Sequence, residues 1–218
     1  NNADAIAQGV DATYVMPFYE GDLKLGAYLH HSRNNSTITN PNNGMFFVDN
    51  FTNAEKDTAS MFTEWQQDKA SFSTTIGVRY TRVDMDAGLA GSNMVMMNPA
   101  IAKLVDDFNA AERDKSYNML DVAASTRYHA SDNVDVVLGV SQKNRAPTYF
   151  ERYTWLPLGI SGGMADGFNY IGNLALDNET ARQIDVGIDY RFKSWLVSPR
   201  LFYQDIEDYI TGSPSTNM

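Results

Sequence analysis

Apolar and polar residues alternate along several strand-length segments of this chain. In segment 72–80 the even positions are apolar or threonine, and the positions between them are polar or glycine. The same parity recurs in segments 120–128, 134–140 and 184–190. Because successive side chains of a strand point to opposite faces of its sheet, this period of two predicts strands with one apolar and one polar face.

Turn-forming residues divide the chain into about eight such strands. The predicted strands cover residues 10–18, 23–33, 55–66, 70–85, 116–130, 133–144, 179–191 and 195–210. The connectors alternate between short and long along the chain. The short connectors are 19–22, 67–69, 131–132 and 192–194, and the long connectors are about 34–54, 86–115 and 145–178.

Segments of about ten residues with one apolar face are typical of a transmembrane β-barrel. Outer-membrane barrels have short turns in the periplasm and long loops outside the cell. We therefore predict an all-β fold, an antiparallel transmembrane β-barrel in the bacterial outer membrane, with the long loops extracellular. Two alternatives share the alternation: a passive porin-type barrel, and a soluble all-β binding or adhesin module.

The second long connector contains a helix signal of its own. Asn98 is a favourable N-cap residue, and Pro99 suits the first helical position. From Ile101 to Phe108, apolar residues follow at the spacing i, i+3, i+4 and i+7. The pattern predicts a short amphipathic helix over 99–111, lying on the barrel mouth or against another loop.

Composition and motifs exclude several classes of function. The formal net charge of −10 argues against a nucleic-acid partner, since phosphate contacts need clustered Lys and Arg. The chain has no cysteine, which rules out disulfides and thiolate metal sites. No apolar run reaches the length of a transmembrane helix. The sequence also has no nucleophile elbow, phosphate-binding glycine loop or metalloprotease histidine pair, so we do not expect an enzyme.

Four motifs in the second half of the chain occur in a specific order. They read QKNRAPTYFERY at 142–153, GNLALDNE at 172–179, RQIDVGI at 182–188 and LFYQDIEDYI at 201–210. This order resembles the C-terminal half of the barrel of TonB-dependent outer-membrane receptors. In that family a strand ends in Arg-Ala-Pro, and an Asn-x-x-Leu-x-x-Glu stretch leads into the next strand.

The resemblance implies a ligand-gated importer energised by the TonB system. Such receptors have a barrel of about 22 strands with a plugged lumen. They import a scarce nutrient such as an iron–siderophore, haem, cobalamin or a metal ion. Residues 1–218 are then expected to be a fragment of the barrel domain, without the plug that contacts the TonB system. No intrinsic cofactor is expected, and an iron chelate or copper is the expected cargo.

A methionine cluster in the second long connector suggests a metal ligand set. Met94, Met96 and Met97 fall within four residues, and thioethers are soft ligands suited to Cu(I). The chain is also similar to the copper-receptor branch of the family. The alternative is that these side chains pack beneath the 99–111 helix as flexible apolar filler.

The third long connector carries aromatic residues suited to a binding surface. Tyr153, Trp155, Phe168 and Tyr170 are predicted to line a mouth for a planar or apolar-rimmed ligand. Loop-on-loop packing is the alternative for these rings. His30 is a further candidate ligand contact, because its parity points it into the lumen. Lipid and lipopolysaccharide of the outer membrane are the other expected partners, and acidic loop residues are candidates for sharing divalent cations with lipopolysaccharide.

Overall fold

The computed structural model describes residues 2–159 and 166–214 of the chain. In these residues the strands are β1 (Asn2–Phe18), β2 (Gly21–Asn40), β3 (Asn43–Asp68), β4 (Phe72–Asp86), β5 (Gly91–Ser92), β6 (Lys115–Ser131), β7 (Val134–Arg145), β8 (Glu179–Phe192), β9 (Trp195–Val197) and β10 (Arg200–Glu207). The helices are a 3-10 helix (Asn93–Met96), α1 (Pro99–Ala110) and α2 (Tyr149–Tyr153). None of these helices is long and apolar enough to cross a membrane.

All ten strands belong to one antiparallel sheet. Its order is β1-β2-β3-β4-β6-β7-β8-β10, with β5 paired to β3 and β9 paired to β8. Each long strand therefore pairs with the next long strand along the chain, and β1 and β10 form the two edges of an open sheet. The arrangement confirms the predicted fold: an antiparallel sheet that forms part of a larger barrel.

The strand register places the apolar positions of neighbouring strands side by side. Phe72 pairs with Tyr128 and Val78 pairs with Val122 between β4 and β6, and Val140 pairs with Ile184 between β7 and β8. Residues directly opposite each other share a face of the sheet. The result is one continuous apolar face across the sheet, and most of its large side chains are exposed. A soluble monomer rarely exposes a patch of this extent, whereas a lipid-facing band consists of one.

The opposite, polar face carries glycines that make room for large side chains of neighbouring strands. The ring of Phe62 on β3 lies against the backbone of Gly26 on β2, and a Cβ atom added at Gly26 is only 2.1 Å from ring atom Cε1. Arg200 lies against Gly187 and Asp185 lies against Gly139 in the same way.

Because of this packing, two matched glycine substitutions are expected to lower the stability of the folded protein by different amounts. Gly26→Ala is expected to destabilise the folded protein by about 1–3 kcal/mol, because the new methyl group displaces the Phe62 ring. Gly77→Ala, on the polar face of β4, is the control, since its nearest neighbour is the Thr63 carbonyl oxygen at 3.7 Å. Urea titration of the full-length protein folded into lipid vesicles measures the free energy of unfolding of both variants. Equal losses of stability contradict the packing role of Gly26.

The two ends of the sheet differ, as the connector lengths predict. Short turns join β1 to β2, β3 to β4, β6 to β7 and β8 to β9 at one end. The connectors 87–114 and 146–178 lie at the other end. The prediction of an irregular loop over 34–54 is wrong: β2 continues to Asn40 and β3 begins at Asn43, so the segment is a strand hairpin that extends beyond the end of β4.

Two strand limits also differ from the prediction. β1 begins at Asn2 rather than at residue 10, and it pairs with β2 along its whole length. The predicted strand 195–210 is interrupted at 198–199, which separates β9 from β10. Pro199 accounts for the interruption, because proline has no N–H to donate to the ladder.

The hydrophobic core lies at the long-connector end, where the connectors fold onto the polar face. Its sheet residues include Val83 and Met85 of β4, and Tyr117 and Met119 of β6. Helix α1 agrees with the predicted helix: the Asn98 side chain accepts a hydrogen bond from the Ala100 N–H at 3.0 Å. This helix buries its apolar side chains at 101 and 108.

Candidate functional site

Three segments meet at the long-connector end and form what we call the loop layer: the hairpin 34–54, residues 86–114, and the described part of 146–178. The pairing of Val48 with Ser92 joins the hairpin to the second segment. The indole N–H of Trp155 donates to the Asp49 carbonyl at 2.9 Å and joins the hairpin to the third segment. Long loops that pack on each other in this way form an ordered surface over the polar face of the sheet.

Helix α2 holds this layer together through a buried arginine. Arg152 is 1% exposed, and its guanidinium donates to the Tyr117 hydroxyl and the Arg113 carbonyl, both at 3.1 Å. It also lies over the rings of Tyr117 and Tyr153, at 5.8 and 5.1 Å from their centroids. Within residues 2–159 and 166–214 it forms no ion pair with a carboxylate. Its charge is therefore stabilised by π faces and oxygen acceptors.

Helix α2 was not predicted, although its sequence signal is local. Thr148 and Glu151 form a capping box, in which each side chain accepts a hydrogen bond from the other residue's backbone N–H. Thr-x-x-Glu at residues 148–151 is the sequence signature of that motif. Arg152 gave no comparable signal, because its burial depends on Tyr117 and Arg113, which are distant in sequence.

An ion-pair network anchors the start of the third segment. Arg145, the last residue of β7, contacts Glu151 at 2.9 Å and Glu179, the first residue of β8, at 2.7 Å. The hydrogen bond from Arg145 lowers the pKa of Glu179. Burial raises the pKa of Glu151, but hydrogen bonds from Arg145 and Thr148 outweigh burial, so this pKa is lowered as well.

These shifts predict that acid loosens the loop layer. A carboxylate whose folded pKa lies below its unfolded value stabilises the fold above the unfolded pKa, and this contribution is lost as the pH falls through the folded pKa. Hydrogen exchange of the amides in 146–159, corrected for intrinsic rates, is expected to show constant protection near neutral pH and a loss of protection below pH 4.5. Glu179→Gln is expected to weaken protection at neutral pH and to flatten the acid response. Protection that is the same at pH 3 and pH 7 contradicts the role of the network.

Two of the four predicted aromatic contacts lie inside the loop layer. Tyr153 and Trp155 are 1% and 3% exposed. The Tyr153 hydroxyl donates to the Arg113 carbonyl at 3.1 Å, and burial raises the pKa of this hydroxyl. The cavity beside both rings has a volume of about 10 Å³, which is room for a single water molecule. A larger ligand reaches these rings only if the loop layer opens.

The other two aromatic candidates are accessible. Phe168 is exposed, and Tyr170 is half-buried with its hydroxyl donating to Asp166 at 2.5 Å. Part of the predicted aromatic segment, 160–165, lies outside the described residues. The structure therefore divides the four rings into a buried pair that packs loop against loop and a second pair, of which Phe168 is exposed and Tyr170 is half-buried.

His30 lies on the polar face of β2, as its parity predicts. Its ring stacks on that of Tyr28, with centroids 5.9 Å apart and planes 12° apart. His31 lies on the opposite face, where its Nδ1 atom is 2.7 Å from Asp57. His30 is thus placed to face a lumen, and its contact with a ligand stays a prediction.

The predicted methionine cluster is divided between two environments. Met94 is partly buried and packs against the hydrophobic core, whereas Met96 and Met97 are exposed. The alternative, in which these methionines pack as flexible apolar side chains, therefore fits Met94 alone. In the described part of the chain, no three His, Asp or Glu side chains are grouped so that they could hold a metal ion.

Comparison with known proteins identifies what the chain resembles as a whole. The family model described as "TonB dependent receptor-like, beta-barrel" matches residues 4–218. A search of curated protein sequences finds no match.

Solved structures of transporters and uptake receptors share this fold. The copper transporter OprC aligns with a TM-score of 0.68 at 14% identity, over 95% of this chain and 30% of that protein. The ferric citrate transporter FecA in its unliganded form aligns with a TM-score of 0.62 at 11% identity, over 99% of this chain and 30% of that protein. The ferric yersiniabactin uptake receptor FyuA from Yersinia pestis has a TM-score of 0.56 at 14% identity, over 95% of this chain and 29% of that protein. The chain spans about 30% of the length of the first two proteins.

Proposed function

Because the chain belongs to the TonB-dependent receptor family and forms part of its β-barrel, we propose that the full-length protein imports a scarce nutrient across the bacterial outer membrane. The single observation that carries the proposal is the match over residues 4–218. The exposed apolar face supports it, because a lipid-facing wall explains why those side chains are not buried. Candidate cargoes are an iron chelate, haem, cobalamin or a metal ion.

The proposal gives the sheet an orientation. The polar face lines the lumen, the short turns lie in the periplasm, and the loop layer lies outside the cell. A plug domain and a segment that contacts the TonB system belong to the full-length protein outside these residues. Outer-membrane lipid contacts the apolar face, and lipopolysaccharide surrounds its extracellular rim.

The loop layer and the upper lumen are the proposed ligand surface. Phe168 and Tyr170 contact the ligand first, because they are the accessible pair of aromatic rings. His30 contacts it deeper, on the polar face below the loop layer. Tyr153 and Trp155 contact it only when the layer opens, and otherwise they hold the layer in place.

A growth experiment tests both the import and its energy source. A strain lacking the gene is compared with wild type under limitation of iron, of copper and of cobalamin. We expect a growth defect under one limitation, full restoration by the full-length gene, and the same defect when TonB is removed. Uptake that continues without TonB contradicts energised import and supports a passive porin. A protein that fractionates away from the outer membrane contradicts the barrel and supports the soluble alternative.

A further inference from the structure

A shallow groove of about 400 Å³ lies on the apolar face of the sheet, across β6, β7, β8 and β10. We call it the outer groove, and its apolar lining is Val122, Val140, Ile184 and Tyr203. The register places Val140, Ile184 and Tyr203 directly opposite one another on three neighbouring strands. All four side chains are exposed, so nothing in residues 2–159 and 166–214 covers the outer groove.

The outer groove ends in a polar row on the side of the loop layer. Gln142, Arg182 and Asp205 line this end, and the register places them directly opposite one another. Each of them is two residues along its strand from a member of the apolar row, and residues two apart on a strand share a face. The apolar face therefore changes to a charged one at this row.

Arg182 has hydrogen-bond donors that the protein leaves unused. Its Nε–H donates to the Gln142 side-chain oxygen at 3.1 Å, and its Nη1 atom donates to Glu207 at 2.5 Å. A guanidinium has five N–H donors in a planar fork. The other three donors, including both on Nη2, have no acceptor in the part of the chain that the structure describes. Since the side chain is 49% exposed, these donors are accessible from outside the sheet.

We propose that the outer groove binds one acyl chain of a lipopolysaccharide molecule and that Arg182 binds a phosphate of its lipid A. The inference rests on the proposed function, because it places the loop layer outside the cell and this row in the outer leaflet. The outer groove is continuous with the lipid-facing surface, so its occupant is a lipid. The free donors of Arg182 match a phosphate, which accepts two parallel hydrogen bonds from one guanidinium.

The carboxylates beside Arg182 determine how the phosphate is held. Glu207 is paired with Arg182, whereas Asp205 is exposed and forms no ion pair within residues 2–159 and 166–214. A phosphate near Asp205 needs a counterion. Mg²⁺ is typically bound through one or two carboxylates together with phosphate oxygens. Arg182 therefore contacts the phosphate directly, and Mg²⁺ bridges the phosphate to Asp205.

Native mass spectrometry of the full-length protein tests this site. The protein is titrated with bisphosphorylated lipid A in detergent with Mg²⁺, after the gel mobility of each variant has shown that the barrel is folded. Arg182→Gln is expected to weaken the binding of one lipid A molecule about tenfold, because a charge-assisted hydrogen-bond pair is lost. With dephosphorylated lipid A, we expect the variant and the wild type to bind equally. Val140→Trp fills the outer groove and is expected to weaken binding of both lipids severalfold.

Arg82→Gln is the matched control. Arg82 lies on the same face of β4 and is about as exposed as Arg182, but it donates to both oxygens of Asp84 and does not line the outer groove. We expect this variant to bind lipid A as the wild type does. Wild-type affinity in Arg182→Gln overturns the phosphate contact, and wild-type affinity in Val140→Trp overturns the acyl-chain contact. Phosphatidylglycerol that binds as tightly as lipid A overturns the assignment to lipopolysaccharide.

The growth experiment separates failure of this site from failure of the import function. If Arg182→Gln binds lipid A normally and the protein still supports TonB-dependent growth, the lipid site is wrong and import stands. If Arg182→Gln loses lipid A but TonB has no effect on growth, the lipid site stands and energised import is wrong.

Discussion

Replacing Ile76 with arginine is expected to destabilise the folded barrel by about 2–4 kcal/mol, the cost of placing this cation at the midplane of the lipid face. Ile76 is exposed on the apolar face near the middle of the apolar run 72–80 of β4, and it pairs with Ala124 of β6. The cross-strand partners of Ile76 on that face, Trp65 and Ala124, carry no charge that could pair with a guanidinium in hydrocarbon. A soluble sheet with the same surface gains solubility from the change and loses no stability.

The matched control is the neighbouring residue on the other face. Thr75 pairs with Ser125 on the polar face, where an arginine remains in contact with water or polar groups. We expect Thr75→Arg to have a much smaller effect than Ile76→Arg. Urea titration of the full-length protein in lipid vesicles measures the free energy of unfolding of both variants, with the gel mobility of the folded barrel as the readout. Equal effects, or a larger effect at Thr75, contradict the assignment of the two faces.

Replacing Trp155 with alanine is expected to open the loop layer at a cost of about 3–5 kcal/mol in local stability. The indole is 3% exposed and joins the third segment to the hairpin through Asp49. Its removal leaves a large cavity and an unpaired carbonyl oxygen. Since the sheet has its own ladder of hydrogen bonds, the barrel itself is expected to stay folded.

Hydrogen exchange of the hairpin amides in 43–54 measures this effect. Trp155→Ala is expected to raise their exchange rates by at least a hundredfold, as about 1.4 kcal/mol corresponds to a factor of ten. Trp155→Phe is the control, because it keeps most of the apolar volume and loses only the hydrogen bond. If Trp155→Ala weakens cargo binding while leaving the exchange rates unchanged, then Trp155 contacts the cargo directly and is not a packing residue.

The sheet and helix α1 were predictable because their signals are local. An alternation of period two survives in any strand that has one apolar and one polar face, and it also fixed the side on which His30 lies. The N-cap at Asn98 and the apolar spacing that follows it describe a helix without reference to any other segment.

The hairpin 34–54 was not predictable in the same way. Its first half is rich in Asn, Ser and Thr and shows no clean alternation, so the turn residues suggested an irregular loop. It is ordered by contacts that are remote in sequence: β5 pairs with β3, and Trp155 donates to Asp49. Remote contacts of the same kind bury Tyr153 and Trp155, whose polar atoms donate to Arg113 and Asp49. The residue types indicated which side chains could bind a ligand. Which of these side chains are exposed depended on packing between segments that are distant in sequence.

The central claim is that the alternation separates lipid from lumen, and spin-label accessibility tests it most directly. The chain has no cysteine, so single thiols placed at successive positions 73–80 of β4 each give one defined label in this part of the protein. In vesicles containing the full-length protein, we expect oxygen accessibility to peak at the even positions. Accessibility to a water-soluble nickel chelate is expected to peak at the odd positions. Nickel accessibility at every position, with no period of two, contradicts a lipid-facing wall.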